Sequence, residues 1–201
     1  MPVINHDVAP QLFQFIAERN MRAQRLHLRT VVEIGLQDQK YFRVTPEIVY
    51  DLHRAATLYL IFNPGRLRDH EVRMRGSTHE PPLFWHVEGL MDEYYQYLRK
   101  FWDEATPIHL AAYALWQLTW IHPFEDGNGR TARTLAYLML CLKYRMWLPG
   151  RNTVLKQMKD RPQQYSDALR DADRHYKTGE VNLSKLERYL ERALIRQLKS
   201  I

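Results

Sequence analysis

The chain carries one cysteine, Cys141, in 201 residues, so no internal disulfide can form. It lies in the run Leu138-Met139-Leu140-Cys141-Leu142, which reads as a buried, inert thiol. Glycine is scarce, at 8 residues, while Leu, Ala, Arg and Gln abound, a balance that favours helix. No apolar run reaches membrane-spanning length, and residues 1–20 lack the continuous apolar stretch of a secretion signal. A cytoplasmic location without a membrane partner is therefore expected. Acidic residues are the minority, 23 against 29 Lys and Arg. The arginines are scattered (Arg22, Arg25, Arg29, Arg54, Arg66, Arg68, Arg73, Arg75), as on a solvated basic surface, and no zinc-finger or RNA-binding pattern accompanies them. Nucleic acid is not an expected partner. The nine histidines include no His-x-x-x-His pair, which argues against a zinc hydrolase.

What is present is mostly helical periodicity, without internal repeat or linker. Residues 9–29 show apolar helical spacing at Leu12, Phe15, Ile16, Met21 and Leu26. Residues 46–62 form a second such segment, with Thr45 as N-cap, Pro46 at the first position and Pro64-Gly65 as its stop. The stretch Val72-Arg73-Met74-Arg75-Gly76-Ser77 alternates and predicts a short hairpin closed by Pro81-Pro82. Further helices are predicted over 83–102, from Thr106-Pro107 to Ile121, over 131–147, and at about 161–174 and 183–199. The reading is one mainly α domain over 1–201, a helical bundle with one small β-hairpin. Its core runs from about 45 to 150.

Residues 122–133 carry the chemistry: His-Pro-Phe-Glu-Asp-Gly-Asn-Gly-Arg-Thr-Ala-Arg. A base, a carboxylate, a glycine-rich turn and two arginines stand within twelve positions, ahead of an apolar helix. The unpaired N–H groups and positive dipole of a helix start suit an anion. Asp126 is the natural Mg²⁺ ligand, since a hard cation takes one or two carboxylates plus substrate phosphates; an N-cap role is the alternative. Gly127, Asn128 and Gly129 let the backbone approach phosphate, although the same triplet is ordinary turn chemistry. Arg130 and Arg133 share one helix face and bind phosphate bidentately. Glu125 reads as solvent-facing.

This string resembles the Fic family motif, His-x-Phe-x-Asp/Glu-Gly-Asn-Gly-Arg-x-x-Arg, at every defining position. Eight such positions match by chance with a probability on the order of 10⁻⁸. The resemblance extends over about 45–150 and implies a Fic-type helical bundle with a hairpin flap. It also implies a protein adenylyltransferase that moves AMP from MgATP to a Ser, Thr or Tyr hydroxyl of a target protein. In that reading His122 is the general base, Phe124 anchors the loop in the core and Asp126 holds Mg²⁺. Arg130 and Arg133 take the β- and γ-phosphates. Gly129, where phosphate-transferring relatives carry lysine, goes with AMP transfer. Val72, Arg73, Met74 and Arg75 correspond to the target-docking flap, a plain surface hairpin being the alternative. Tyr165 and Asp173 correspond to a segment near the adenine, or to core positions.

Many family members are restrained by Ser/Thr-x-x-x-Glu-Gly/Asn, whose glutamate engages the second arginine. No Ser or Thr here is followed four residues later by Glu. Glu18 is the nearest candidate, and a separate antitoxin-like inhibitor is the other. A homodimer stays open. Rival activities are a different nucleotide or phosphate donor, AMP removal, or a non-catalytic nucleotide-binding regulator, although binding alone has no need of His122.

Overall fold

The structure, a computed structural model, describes residues 3–74 and 79–201. Among the described residues eight α-helices run in chain order: α1 Pro10–Gln37, α2 Pro46–Thr57, α3 Val87–Lys100, α4 Pro107–Ile121, α5 Asn128–Lys143, α6 Val154–Asp160, α7 Pro162–Tyr176 and α8 Ser184–Leu198. A single 3₁₀ turn, Phe84–His86, precedes α3. Among the described residues no strand is found and no helix is long and apolar enough to cross a membrane.

The centre is the pair α4–α5. Thr106 caps α4 by accepting from the amide of His109 at 3.1 Å, and Pro107 starts it. The helix is apolar all round and buried from Leu110 to Leu118, as a helix enclosed by others must be. α5 is buried over most of its length, Cys141 included. α1 and α2 pack on one side of α5, α3 and α8 flank α4, and α7 lies against α8.

Several expectations need correction. α1 continues to Gln37, eight residues past its predicted end, and its expected apolar face points to solvent: Leu12 is 45% exposed, Phe15 63% and Leu26 68%. Its buried face is Asn20, Gln24, Leu28, Val31, Val32 and Gly35. The polar pair there is bonded inward. Asn20 donates to the Leu58 carbonyl at 2.7 Å; Gln24 donates to that of Leu52 at 3.0 Å and accepts from the Thr134 hydroxyl at 3.1 Å. α2 stops at Thr57, before Pro64-Gly65, because Leu58 leaves helical backbone and Tyr59 turns left-handed at φ 65. α5 begins at Asn128, three residues early, and α6 was unforeseen. No strand of the expected hairpin is found among the described residues: Val72, Arg73 and Met74 are irregular, and Arg75 lies with 76–78 outside them.

Candidate active site

His122 is the C-cap of α4. Its backbone is left-handed, at φ 52 and ψ 57, and Pro123 bars the helix from continuing. The half-buried ring turns one nitrogen inward: Nδ1–H donates to the Thr119 carbonyl at 3.3 Å, since a carbonyl can only accept. Nε2 therefore keeps its lone pair. Burial pulls the imidazole from the ordinary 6.5 down to about 4, helped by the charge of Arg68 and opposed by the Thr119 bond. The imidazole is neutral at pH 7.

The loop that follows is built inward. Phe124 is fully buried and stacks on His53, with ring centroids 3.8 Å apart and planes 8° apart. Asn128 closes the loop on itself, accepting from the Phe124 amide at 2.9 Å and donating to its carbonyl at 2.8 Å. Both ends of its side-chain amide are thus used, and what it offers a phosphate is loop shape. Gly127 has φ 80, and a Cβ there would meet Thr57 Cγ2 at 2.5 Å. Gly129 is ordinary helix, but a Cβ would sit 3.2 Å from Arg133 Nη1, so its bareness keeps that arginine's place. Glu125 is half-buried, not fully solvent-facing.

His53 is the residue that motif reading misses. It is fully buried; Nδ1 accepts from the Gly65 amide at 2.8 Å, which leaves Nε2–H to donate to the Asp126 carbonyl at 2.7 Å. Burial lowers it to about 4, so this tautomer holds at neutral pH. A signal existed, since Val49, Leu52 and Ala56 place His53 on the buried stripe of α2. Arg68 was missed as well. It had been read as part of a solvated basic surface, yet its side chain is 0% exposed.

The outward groups are the charged ones. Asp126 is 69% exposed and stands 3.3 Å from Arg130 Nη2; it caps nothing, for the N-cap of α5 is Gly127. Arg130 also donates to the Ala56 carbonyl at 3.1 Å, and burial lowers its pKa against the pull of Asp126. Arg133 donates to the Tyr165 hydroxyl at 2.8 Å, with its guanidinium 5.9 Å from that ring's centroid. A cavity of about 570 Å³ opens beside both arginines, between α1, α5 and residues 147–160. Arg25, Arg151, Lys156 and Lys159 add positive charge to its walls. No group of three His, Cys, Asp or Glu converges among the described residues. A lone exposed carboxylate beside arginines fits a Mg²⁺ ion that arrives with nucleotide phosphates.

The remaining candidates do not gather at one point. Tyr165 sits at the Arg133 end of α7, whereas Asp173, two turns on, accepts from Trp116 Nε1 at 2.8 Å. Burial raises the Asp173 carboxyl, which lines a separate cavity of about 320 Å³ with His79 and Lys177. Glu18 is exposed and takes a hydrogen bond from Gln14 at 2.7 Å.

Residues 43–140 of this mainly helical bundle match the model of the Fic/DOC family. Over 104 residues the chain is 35% identical to a protein named adenylyltransferase Fic from Nematostella vectensis; the match covers 51% of this chain and 24% of that protein. A Fido domain-containing protein of Dictyostelium discoideum is 37% identical over 91 residues, or 45% of this chain and 57% of its own. The matched stretch is thus about a quarter of the Nematostella protein. Among solved structures, Fic-1 of C. elegans (residues 134–508) superposes with a TM-score of 0.70 at 22% identity, covering 94% of this chain and 51% of the other. A Fic domain-containing signaling protein of Bacteroides thetaiotaomicron superposes at 0.69 and 21% identity, covering 90% and 72%. These structural likenesses show the fold.

Proposed function

We propose that this chain is a protein adenylyltransferase that transfers AMP from MgATP to a hydroxyl of a target protein. The observation that carries the reading is one short loop holding a neutral, half-buried histidine at the end of α4 and two arginines at the start of α5. The hydroxyl oxygen attacks the α-phosphorus of ATP as Nε2 of His122 accepts its proton. The bond from the α-phosphorus to the bridging oxygen breaks, pyrophosphate leaves, and His122 passes the proton to water. Arg130, Arg133 and the first N–H groups of α5 neutralise and orient the phosphates, and Asp126 would hold the Mg²⁺ they carry. Positioning and charge do most of the work. The names of the sequence relatives support the transfer class.

The test is incubation with α-labelled ATP, Mg²⁺ and host lysate, beside His122→Ala and Arg133→Ala. A labelled protein that loses its label by a factor of roughly 10² or more with either variant is expected. Label that survives His122→Ala overturns the base assignment. Nucleotide binding without any label favours the regulator reading.

A further inference from the structure

Arg68 belongs to none of the motif positions, yet it touches the motif's first residue. Its guanidinium fans out inside the protein: Nε donates to the His122 carbonyl at 2.9 Å, Nη1 to the His70 carbonyl at 3.1 Å, and Nη2 to the Pro82 carbonyl. Its own amide donates to the Pro123 carbonyl at 2.9 Å. The one carboxylate nearby, Glu71, stands 3.7 Å away and is half-exposed. A charge with no exposed surface, spent on three carbonyls from three places in the chain, is costly unless those places need joining.

We propose that Arg68 is a positioning residue for His122, whose buried guanidinium ties both ends of the 70–82 segment to the carbonyl of the base. The proposal rests on the reading of His122 as the base. The left-handed backbone of His122 fixes where its ring points, and among the described residues the ring's hydrogen bond is the 3.3 Å one to Thr119. The carbonyl bond from Arg68 is therefore the firm anchor on the base. The planar fork matters as much as the charge, because a lysine ammonium cannot reach three carbonyls in fixed directions.

The test is a histidine NMR titration of the full chain, without nucleotide or metal, in wild type, Arg68→Gln and Arg68→Lys. The charged or titratable groups facing His122 are Arg68 and His79 from the 66–82 segment and Asp126 across the loop. His53, under the same loop but away from Arg68, is the internal control. In Arg68→Gln, His122 is expected to titrate about one unit higher while His53 stays put. Arg68→Lys keeps the charge and loses the fork. It is expected to displace the His122 ring signals without moving those of His53, and to lower kcat roughly tenfold or more at unchanged KM for MgATP. An unmoved His122 in a folded Arg68→Gln protein overturns the proposal, as does equal movement of both histidines, which marks general loosening. Should Arg68→Gln fail to fold, the ring signals in Arg68→Lys decide alone. If wild type transfers no AMP, the functional reading falls while the titration still judges Arg68.

Discussion

The two ends of the motif segment are held by different kinds of structure. At the Gly127 end the supports are regular: the side chains of His53 and Thr57 on α2, and Asn128 in the first turn of α5. At the His122 end, past the last turn of α4, the support includes an arginine from an irregular segment, with a carbonyl as its handle. Among the described residues no hydrogen bond joins the Gly127 end to 70–82, whereas Arg68 bonds the His122 carbonyl together with those of His70 and Pro82. If the proposed function holds, anion binding and proton acceptance are therefore separable, and each can be damaged without the other.

The most damaging change is expected at Gly127. Its φ of 80 is strained for any side chain, and an added Cβ would lie 2.5 Å from Thr57 Cγ2 and 3.3 Å from His53 Nε2. Left-handed strain costs about 1–2 kcal/mol, and displacing two buried neighbours adds a similar amount. Gly127→Ala should lower unfolding free energy by roughly 3 kcal/mol in denaturant melts and weaken MgATP binding in calorimetry. A variant as stable as wild type would mean that α2 yields, and that the phosphate end is softer than its packing suggests.

The next effect is read in pH. Folding lowers His53 from 6.5 to about 4, so as pH falls below 6.5 the unfolded chain takes the proton first. Stability is thus complete above about 6.5 and is lost toward 4, by on the order of 2 kcal/mol from this residue. His122 adds a loss of the same sign. His53→Phe keeps a ring against Phe124 but leaves the Gly65 amide and the Asp126 carbonyl without their partner. It should cost about 1–3 kcal/mol at pH 7 and flatten the acid slope. An unchanged slope would assign the whole pH dependence to His122 and other groups. For transfer itself, the acid limb of kcat/KM should fall near 4, not near 6.5.

These supports explain what the sequence did and did not reveal. His122, Asp126, Arg130 and Arg133 were legible because twelve contiguous positions carry them, and helix α4 because Thr106-Pro107 opens an unbroken apolar run. His53 and Arg68 were not, for their partners lie 73 and 54 residues away and no local pattern encodes a bond to a distant carbonyl. The face of α1 failed for a related reason. Periodicity counts apolar side chains, whereas Asn20 and Gln24 are buried as connectors that satisfy carbonyls of 52 and 58. The hairpin is not seen among the described residues, where 72–74 are irregular and alternate in exposure, and 75–78 lie outside them. Tyr165 accepts from Arg133, whereas Asp173 lines a second cavity.

The smallest change in stability should come from the residue with the most direct proposed chemistry. Asp126 is largely exposed, and its single contact with Arg130 at 3.3 Å is a surface ion pair, worth at most about 0.5 kcal/mol. Its carbonyl, not its carboxylate, is what His53 grips, so Asp126→Asn leaves the loop's backbone support intact. Melts of this variant should therefore overlay wild type within that margin, while MgATP binding falls and ATP binding without Mg²⁺ does not. The contrast with Gly127→Ala sharpens the division of labour: buried neighbours carry the shape of the loop, and the exposed carboxylate is free to serve the metal. If Asp126→Asn lowers ATP binding equally with and without Mg²⁺, the carboxylate acts through Arg130 instead, by orienting a phosphate clamp, and the metal assignment fails.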